Sequence, residues 1–481
     1  MQAALRTALE QLHQSEILAH YDQLVASDAQ AASELEHELA ALDLKLLGHQ
    51  LEMLGRAKSG EAEAPSSIAP GEMLALASNE FPWPLNAEAQ GARELGETLL
   101  EEGKVAALLL AGGQGTRLGF DAPKGLFPIY PLSERCLFDG FCAQINTLAD
   151  MHGVQPLLLI MTSDATHDVT LEVFEDMDYF GLDPDRVRFF SQARCPALSE
   201  EGKLLLESPT TLAQSPDGHG GTLTALRNSG MLDELKMQEV EWLFTFQVDN
   251  PAVSICDPHF VGLNAQRKAE ASLQAVRKRD ASEKVGVFGY RDGKPAIIEY
   301  SELSDEQAQE RDAQGELLWA AGNCAVHVFS VEFLDRFTQA QLSDDDLLPL
   351  HLAHKVVPYM NAQGELVAPD APNAWKFERF IFDCLPAAKG VYALEIARER
   401  SFLPVKSAAG ETSPDAVRQG LMQLWRLELR RMGLAISDEQ PVEISPEVWA
   451  NPQELAQLID QLKPDLQAAI SDPSAALLIE E

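Results

Sequence analysis

Over about the first 55 residues, apolar positions recur every third or fourth place, as Leu5, Leu9 and Leu12 and then Leu35, Leu39 and Leu42, with charged residues between them. That period predicts amphipathic helices, each packing one leucine face on a neighbour. From Ser59 to Gly71 the chain turns to Gly60, Pro65, Pro70 and Gly71, which predicts a linker or surface loop. Phe81-Pro82-Trp83-Pro84 is excluded from a helix interior or a central strand. Near Lys104 the pattern changes to a short continuous apolar run, Val105–Leu110, followed by similar runs at Pro156–Met161, Val187–Phe190 and Trp242–Phe246. Runs of this length ended by glycine or polar residues predict strands buried on both faces. Helical stretches separate several of them, at Phe138–Met151 and Thr222–Leu235. Strands alternating with helices predict an α/β fold with a mainly parallel sheet, in which ligands bind beyond the carboxyl ends of the strands. Residues 415 to 433 and 452 to 471 again read as amphipathic helices, which suggests a small C-terminal lobe.

Composition adds limits. The 481 residues, 46% hydrophobic and 23% charged, suit a soluble globular chain with one main domain and one or two appendages. No stretch reaches the roughly 18 apolar residues of a membrane span. The segment Met1–Arg6 lacks the apolar core of a signal peptide, so a cytoplasmic protein is expected. Six scattered cysteines, with no Cys-x-x-Cys pair, read as buried small hydrophobes rather than a zinc site or disulfide framework. The formal net charge of −38 argues against nucleic acid and anionic lipid as partners. A phosphate-rich ligand would meet an unfavourable long-range field, so its site must concentrate basic groups locally. The oligomeric state is left open by the sequence.

Such a concentration follows the first apolar run. Leu110-Ala111-Gly112-Gly113-Gln114-Gly115-Thr116-Arg117-Leu118-Gly119 is followed by Pro123-Lys124-Gly125. Glycines let backbone N–H groups approach a phosphate closely, and a helix starting beyond the loop would add the partial positive charge of its N-terminus. Arg117 can fork onto phosphate oxygens, while Lys124 supplies a mobile point charge. The ending required of a P-loop is missing, and the third glycine of a dinucleotide fingerprint falls one place late, with Leu118 in its slot. An ordinary strand-to-helix turn is the bland alternative. The whole string matches the signature of sugar-nucleotide pyrophosphorylases.

Two further elements accompany it: Ser215-Pro216-Asp217-Gly218-His219-Gly220-Gly221, and Gln247-Val248-Asp249-Asn250 at the end of an apolar strand. The glycines of the first suit close backbone approach to a ligand, and a carboxylate at a strand's carboxyl end suits Mg²⁺ bridging nucleotide phosphates. Taken in order, these elements resemble the eukaryotic-type UDP-N-acetylhexosamine pyrophosphorylases. The resemblance continues through Val285-Gly286-Val287, Glu299-Tyr300-Ser301-Glu302, Ala321-Gly322-Asn323, Lys376–Asp383, Arg398-Glu399 and Pro404-Val405-Lys406, and covers roughly residues 100 to 435. It implies a Rossmann-like, mainly parallel nucleotidyltransferase core of the GT-A-like kind at 101–395, after an N-terminal mostly helical region 1–100 and before a small C-terminal lobe 396–481.

The resemblance further implies that Leu110, Ala111, Gly112 and Gly113 form the nucleotide-binding turn, with Arg117 and Lys124 on the UTP phosphates. Gln192 would read uracil, Gly218 would sit against the uridine, and Asp249 would hold Mg²⁺. Glu299, Tyr300, Asn323 and His219 would face the sugar, while Lys376 and Lys406 would hold phosphates. His219 departs from the Asn usual in the N-acetylhexosamine enzymes and matches the Gly-His-Gly of UDP-glucose pyrophosphorylases, which opens the sugar preference; a turn histidine bonded to nearby backbone is the bland reading. The implied substrates are UTP and N-acetylglucosamine or N-acetylgalactosamine 1-phosphate. A UDP-glucose or broad-specificity UDP-sugar enzyme is the alternative within the class. A non-catalytic nucleotide-sugar-binding protein should have lost Arg117, Lys124 or Asp249, and an NAD(P)-dependent dehydrogenase fails on glycine spacing. No Ser-His-Asp or Cys-His arrangement is apparent, which agrees with a reaction whose phosphate nucleophile needs no general base.

Overall fold

A computed structural model describes residues 1–59, 66–75, 87–343, 348–361, 363–472 and 474–480. Phe81–Pro84, and Gly60 and Pro65 of the expected linker, lie outside the described residues. The chain divides into two compact units, the first Met1–Ser66, Gln192–Thr222 and Asp345–Asp383, the second Ser67–Ser191, Leu223–Asp344 and Cys384–Glu481.

The second unit is built on an 11-stranded sheet. Numbered along the chain, its strands are β1 (Ile68–Pro70), β2 (Met73–Leu74), β3 (Val105–Leu110), β4 (Leu157–Thr162), β5 (Val187–Ser191), β6 (Trp242–Gln247), β7 (Ala271–Arg277), β8 (Val287–Arg291), β9 (Lys294–Ile298), β10 (Ala321–Ser330) and β11 (Tyr392–Glu395). The main path runs β2-β11-β7-β10-β6-β3-β4-β5. The four strands expected from apolar runs, β6, β3, β4 and β5, lie side by side and parallel. Every residue of β3 and β4 is buried, as a strand covered on both faces requires. The sheet is mixed, because β10 runs antiparallel to both β6 and β7 and the β8–β9 hairpin joins it through Val287 opposite Gly322.

Helices cover these strands. Ala87–Glu101 and Pro258–Arg267 pack so closely that a Cβ on Gly96 would lie 1.8 Å from the Pro258 carbonyl oxygen, and one on Gly262 1.7 Å from that of Ala92. The helix expected at Phe138–Met151 forms as Leu137–His152. The one expected at Thr222–Leu235 forms as two, Gly221–Asn228 and Met231–Met237, broken where Gly230 takes φ +78°. Downstream helices form at Pro414–Arg431 and Pro452–Ile470, and their apolar faces join the same core as the sheet.

In the first unit, four helices (Ala3–Gln11, Ser15–Ser27, Ala29–Ala40 and Leu44–Ser59) bury Leu9, Leu35 and Leu39 against Leu198, Leu212 and Phe377. A three-stranded sheet sets Ala374–Glu378 between His351–Lys355 and Leu198–Ser199. All six cysteines are free, and five are buried, so they act as small hydrophobes. Among the described residues no helix is long and apolar enough to cross a membrane.

The glycine contact between the two covering helices predicts that Gly262→Ala lowers stability by about 1–3 kcal/mol, since the added methyl must push backbone apart. A reduced urea midpoint at unchanged slope is expected; an unchanged midpoint would contradict the contact.

Candidate functional site

The register of β3 on β6 sets Leu110 opposite Gln247, so the glycine-rich segment and Val248-Asp249-Asn250 leave the sheet side by side at the carboxyl ends of their strands. The glycine-rich segment then folds back on itself. The Lys124 N–H donates to the Gly113 carbonyl at 3.1 Å and the Gly115 N–H to the Ala122 carbonyl at 2.9 Å, while Ser163 Oγ holds the Gly112 carbonyl at 2.8 Å. A Cβ on Gly125 would strike the Phe138 ring at 2.1 Å, and one on Gly115 would lie 2.8 Å from Phe120. Gly113 differs: a Cβ there would meet nothing within 4 Å, so the protein leaves open the space that a ligand needs. No α-helix starts directly beyond this loop to add the charge of its N-terminus. Two 3₁₀ turns, Thr116–Leu118 and Lys124–Leu126, follow it, and the next α-helix starts only at Leu137. Side-chain cations and backbone amides must therefore carry the positive charge.

Asp249 is buried, and its main chain and its neighbour strap a distant segment to it. The Val405 N–H donates to the Asp249 carbonyl at 2.8 Å; Asn250 accepts from the Leu403 N–H at 3.0 Å and donates to the Ser401 carbonyl at 2.7 Å. That strap delivers Lys406, whose Nζ lies 3.8 Å from Asp249 Oδ2. Burial pushes the Lys124 ammonium below its ordinary pKa, Asp249 opposes this, and Lys406 and Arg117 add to it. Arg117, Asp249 and Lys406 thus all lie within electrostatic reach of Lys124. Four residues singled out from separate motifs converge here.

Glu299 and Asn323 form a neighbouring group. A Cβ on Gly286 would lie 2.7 Å from Glu299 Oε1, and the Gly286 carbonyl accepts the Asn323 N–H at 2.8 Å. The Asn323 side chain accepts the Ala325 N–H at 2.9 Å, at a residue with φ +57°. Burial pushes the Cys324 thiol up while Arg398 and Lys406 oppose it, so Lys406 is felt at the residue next to Asn323. Arg398, a residue without a role in the sequence reading, binds Glu283 at 2.9 Å and the Arg277 carbonyl at 3.2 Å. Tyr300 is exposed. A recess of about 770 Å³ lined by Lys104, Lys236, Glu239 and Trp242 lies at the amino ends of β3 and β6, and none of the expected site residues lines it.

Gln192, Gly218, His219 and Lys376 belong to the first unit. Gln192 is buried, and Lys376 lies on the strand Ala374–Glu378 opposite Ala353. In the Ser215–Gly221 loop, the close approach allowed by the glycines is to the protein itself. A Cβ on Gly218 would lie 2.5 Å from the Arg379 carbonyl oxygen, one on Gly220 2.6 Å from the Phe380 nitrogen, and one on Gly221 1.9 Å from Asp217 Oδ1. His219 Nδ1 accepts the Ile381 N–H at 3.1 Å, the backbone-bonded arrangement weighed for a turn histidine. Burial raises the Asp217 carboxyl to about 6 against the opposing pull of Arg379.

The family model described as "UTP--glucose-1-phosphate uridylyltransferase" matches residues 83–428. The chain is 38% identical over 437 residues to the mouse "UDP-N-acetylhexosamine pyrophosphorylase-like protein 1", covering 87% of this chain and 83% of that one. It is 35% identical to the "UDP-N-acetylglucosamine pyrophosphorylase" of Saccharomyces cerevisiae, over 79% of this chain and 78% of that one. The crystal structure of the uridine diphosphate N-acetylglucosamine pyrophosphorylase from Trypanosoma brucei, in complex with inhibitor, superposes with TM-score 0.81 at 25% identity, covering 99% and 97% of the two chains.

The cation cluster predicts a pH signature. Lys124 should react with an acetylating reagent along a curve whose midpoint lies below the ordinary lysine value of 10.5. Asp249→Asn removes the carboxylate that opposes the shift, so the midpoint should fall further and Lys124 should react faster at a given pH, as read by mass spectrometry. An upward shift in that variant would separate Lys124 from Asp249.

Proposed function

The chain belongs to the UTP–glucose-1-phosphate uridylyltransferase family, and we propose that it joins UTP to N-acetylglucosamine 1-phosphate, or its galactosamine epimer, giving a UDP-sugar and pyrophosphate. The observation that carries this reading is the gathering of Arg117, Asp249 and Lys406 about Lys124 at the carboxyl ends of β3 and β6. A triphosphate and a sugar phosphate are both anions, and such a cluster is what their approach demands.

The reaction is an in-line displacement. An oxygen of the sugar phosphate forms a bond to the α-phosphorus of UTP, the bond from that phosphorus to the bridging oxygen breaks, and pyrophosphate leaves with the electron pair. A phosphate monoester is already nucleophilic, so no proton need be removed, and positioning with charge stabilisation supplies the catalysis. Arg117 and Lys124 bind the triphosphate, whose leaving end gathers charge as the bond breaks. Lys406 steadies the sugar phosphate, and Asn250 sets its position through the 401–405 strap. Glu299 and Asn323 bind sugar hydroxyls and the acetamido group; Gln192 reads the uracil edge, and Lys376 holds a phosphate.

Asp249 suits Mg²⁺: it is a hard oxygen ligand, and Mg²⁺ commonly takes one or two carboxylates plus substrate phosphates. Among the described residues no group of three ligating side chains offers a protein-only cage, in keeping with an ion that is shared with the nucleotide. Bound there, Mg²⁺ would neutralise phosphate charge, and Lys406 would give up its contact with Asp249.

The names of the mouse and yeast relatives favour the N-acetylhexosamine reading, whereas His219 favours the glucose reading. Pyrophosphate release from UTP with Mg²⁺ and a panel of sugar 1-phosphates decides between them. Turnover should be fastest with an N-acetylhexosamine 1-phosphate; preference for glucose 1-phosphate would select the alternative, and no release with any sugar would reject both.

Lys124→Ala should lower turnover by about 10²- to 10³-fold, the usual effect of deleting one charge-stabilising donor. A folded variant with near-normal turnover would remove Lys124 from the mechanism.

A further inference from the structure

A loop carrying Gly218, Gly220 and Gly221 has little shape of its own, because glycine populates positive and negative φ about equally. In the first unit that shape comes from a second segment, Glu378–Asp383. Its Arg379 N–H donates to the Asp217 carbonyl and its carbonyl accepts the Gly220 N–H, each at 2.8 Å, so one residue brackets the turn from both sides. Beneath the turn, Arg379 Nη1 lies 3.5 Å from Asp217 Oδ2, with side chains only 5% and 2% exposed. Asp217 Oδ1 and Arg379 Nε and Nη2 have no hydrogen-bond partner among the described residues. A buried pair satisfied so incompletely is weak as a source of stability, and removing one partner strands the other's charge.

Phe380 continues the support. Its ring lies between two imidazoles, 4.2 Å from His351 and 5.3 Å from His219, nearly parallel to both. Asp383 fixes the outer imidazole through His351 Nε2 at 2.8 Å and also accepts the Phe380 N–H at 3.3 Å. Next along, the Ile381 N–H donates to His219 Nδ1. An imidazole nitrogen that accepts a hydrogen bond carries no proton, so the proton of the neutral ring sits on Nε2.

We propose that Arg379, with Asp217 and Phe380, is the positioning group for the Ser215–Gly221 loop, and that this group holds the His219 ring with Nδ1 unprotonated. That the loop serves UTP binding rests on the function proposed above; the positioning does not. Arg379 acts only through the loop, touching no reacting atom itself.

Two readouts test this on the full chain. In the first, UTP kinetics are measured for Arg379→Met and Arg379→Lys, with thermal melting as the folding control. Arg379→Met should raise KM for UTP about tenfold while kcat stays within about twofold, the pattern of lost ground-state positioning, and Arg379→Lys should recover most of it. A role limited to stability would lower the active fraction, and so kcat, while leaving KM alone. In the second readout, ¹⁵N-histidine NMR reports the tautomer of His219, assigned among the 11 histidines by the signal lost in His219→Gln. Nδ1 should be unprotonated and Nε2 protonated in the parent, with tautomer exchange appearing in Phe380→Leu and Asp217→Asn. If the parent turns over no UTP, the functional reading fails and the NMR arm alone decides the positioning. Unchanged KM in folded Arg379→Met, or a His219 tautomer indifferent to Phe380 and Asp217, would overturn the proposal.

Discussion

The site depends on holding Arg117 and Lys406 close to Lys124, with the Asp249 carboxylate among them, in a chain whose net charge is −38. Like charges placed together repel, and burial already pushes Lys124 toward losing its proton. Asp249 offsets both effects, so it is the keystone of the cluster before any ligand arrives. The global charge does not defeat it. At physiological salt, charges more than about 8 Å away are largely screened. A cation some 4 Å from a phosphate near the surface still contributes about 4 kcal/mol. Short range wins, and a few well-placed groups can hold a polyphosphate on an acidic protein.

The sheet supplies the short range. Pairing Leu110 with Gln247 brings the glycine-rich turn beside Asp249, and the Asn250 strap brings Lys406 to both. The order of the motifs along the chain thus has a mechanical meaning. Gly113 faces open space, while Gly115 and Gly125 make room for Phe120 and Phe138. In the first unit the glycines of the Ser215–Gly221 loop make room for the protein's own Arg379 and Asp217. The same residue type does two different jobs, and only the surroundings tell them apart.

That distinction marks what was legible in the sequence. The strands β3 to β6 could be read because each is a short, mainly apolar run, interrupted only by Arg188 in β5 and Thr245 in β6. Others could not. Strand β7 carries the buried polar residues Ser272 and Gln274, and β10 opens with Ala321-Gly322-Asn323 where it reaches the site, so neither shows the pattern of a buried strand. The antiparallel course of β10 leaves no local mark at all. Arg117, Lys124 and Asp249 stood out as cations beside a glycine-rich turn and a carboxylate at a strand's carboxyl end, whereas Lys406 was reached only through the family resemblance. Asn250, Arg379 and Arg398 act by bonding to backbone or carboxylates that are distant in sequence, which spacing does not encode. The loop is followed by two 3₁₀ turns, flanked by Gly119 and Pro123, so a helix N-terminus adds no charge there.

The most direct test of this account is a calorimetric titration of UTP with Mg²⁺ into the parent chain and into the Arg117→Met/Lys124→Met double variant. The parent should bind one UTP per chain. Losing two charge-assisted contacts at about 1.5 kcal/mol each should weaken binding by ~100-fold or more. A parent that binds no UTP, or a folded double variant that binds it equally well, would contradict the central claim.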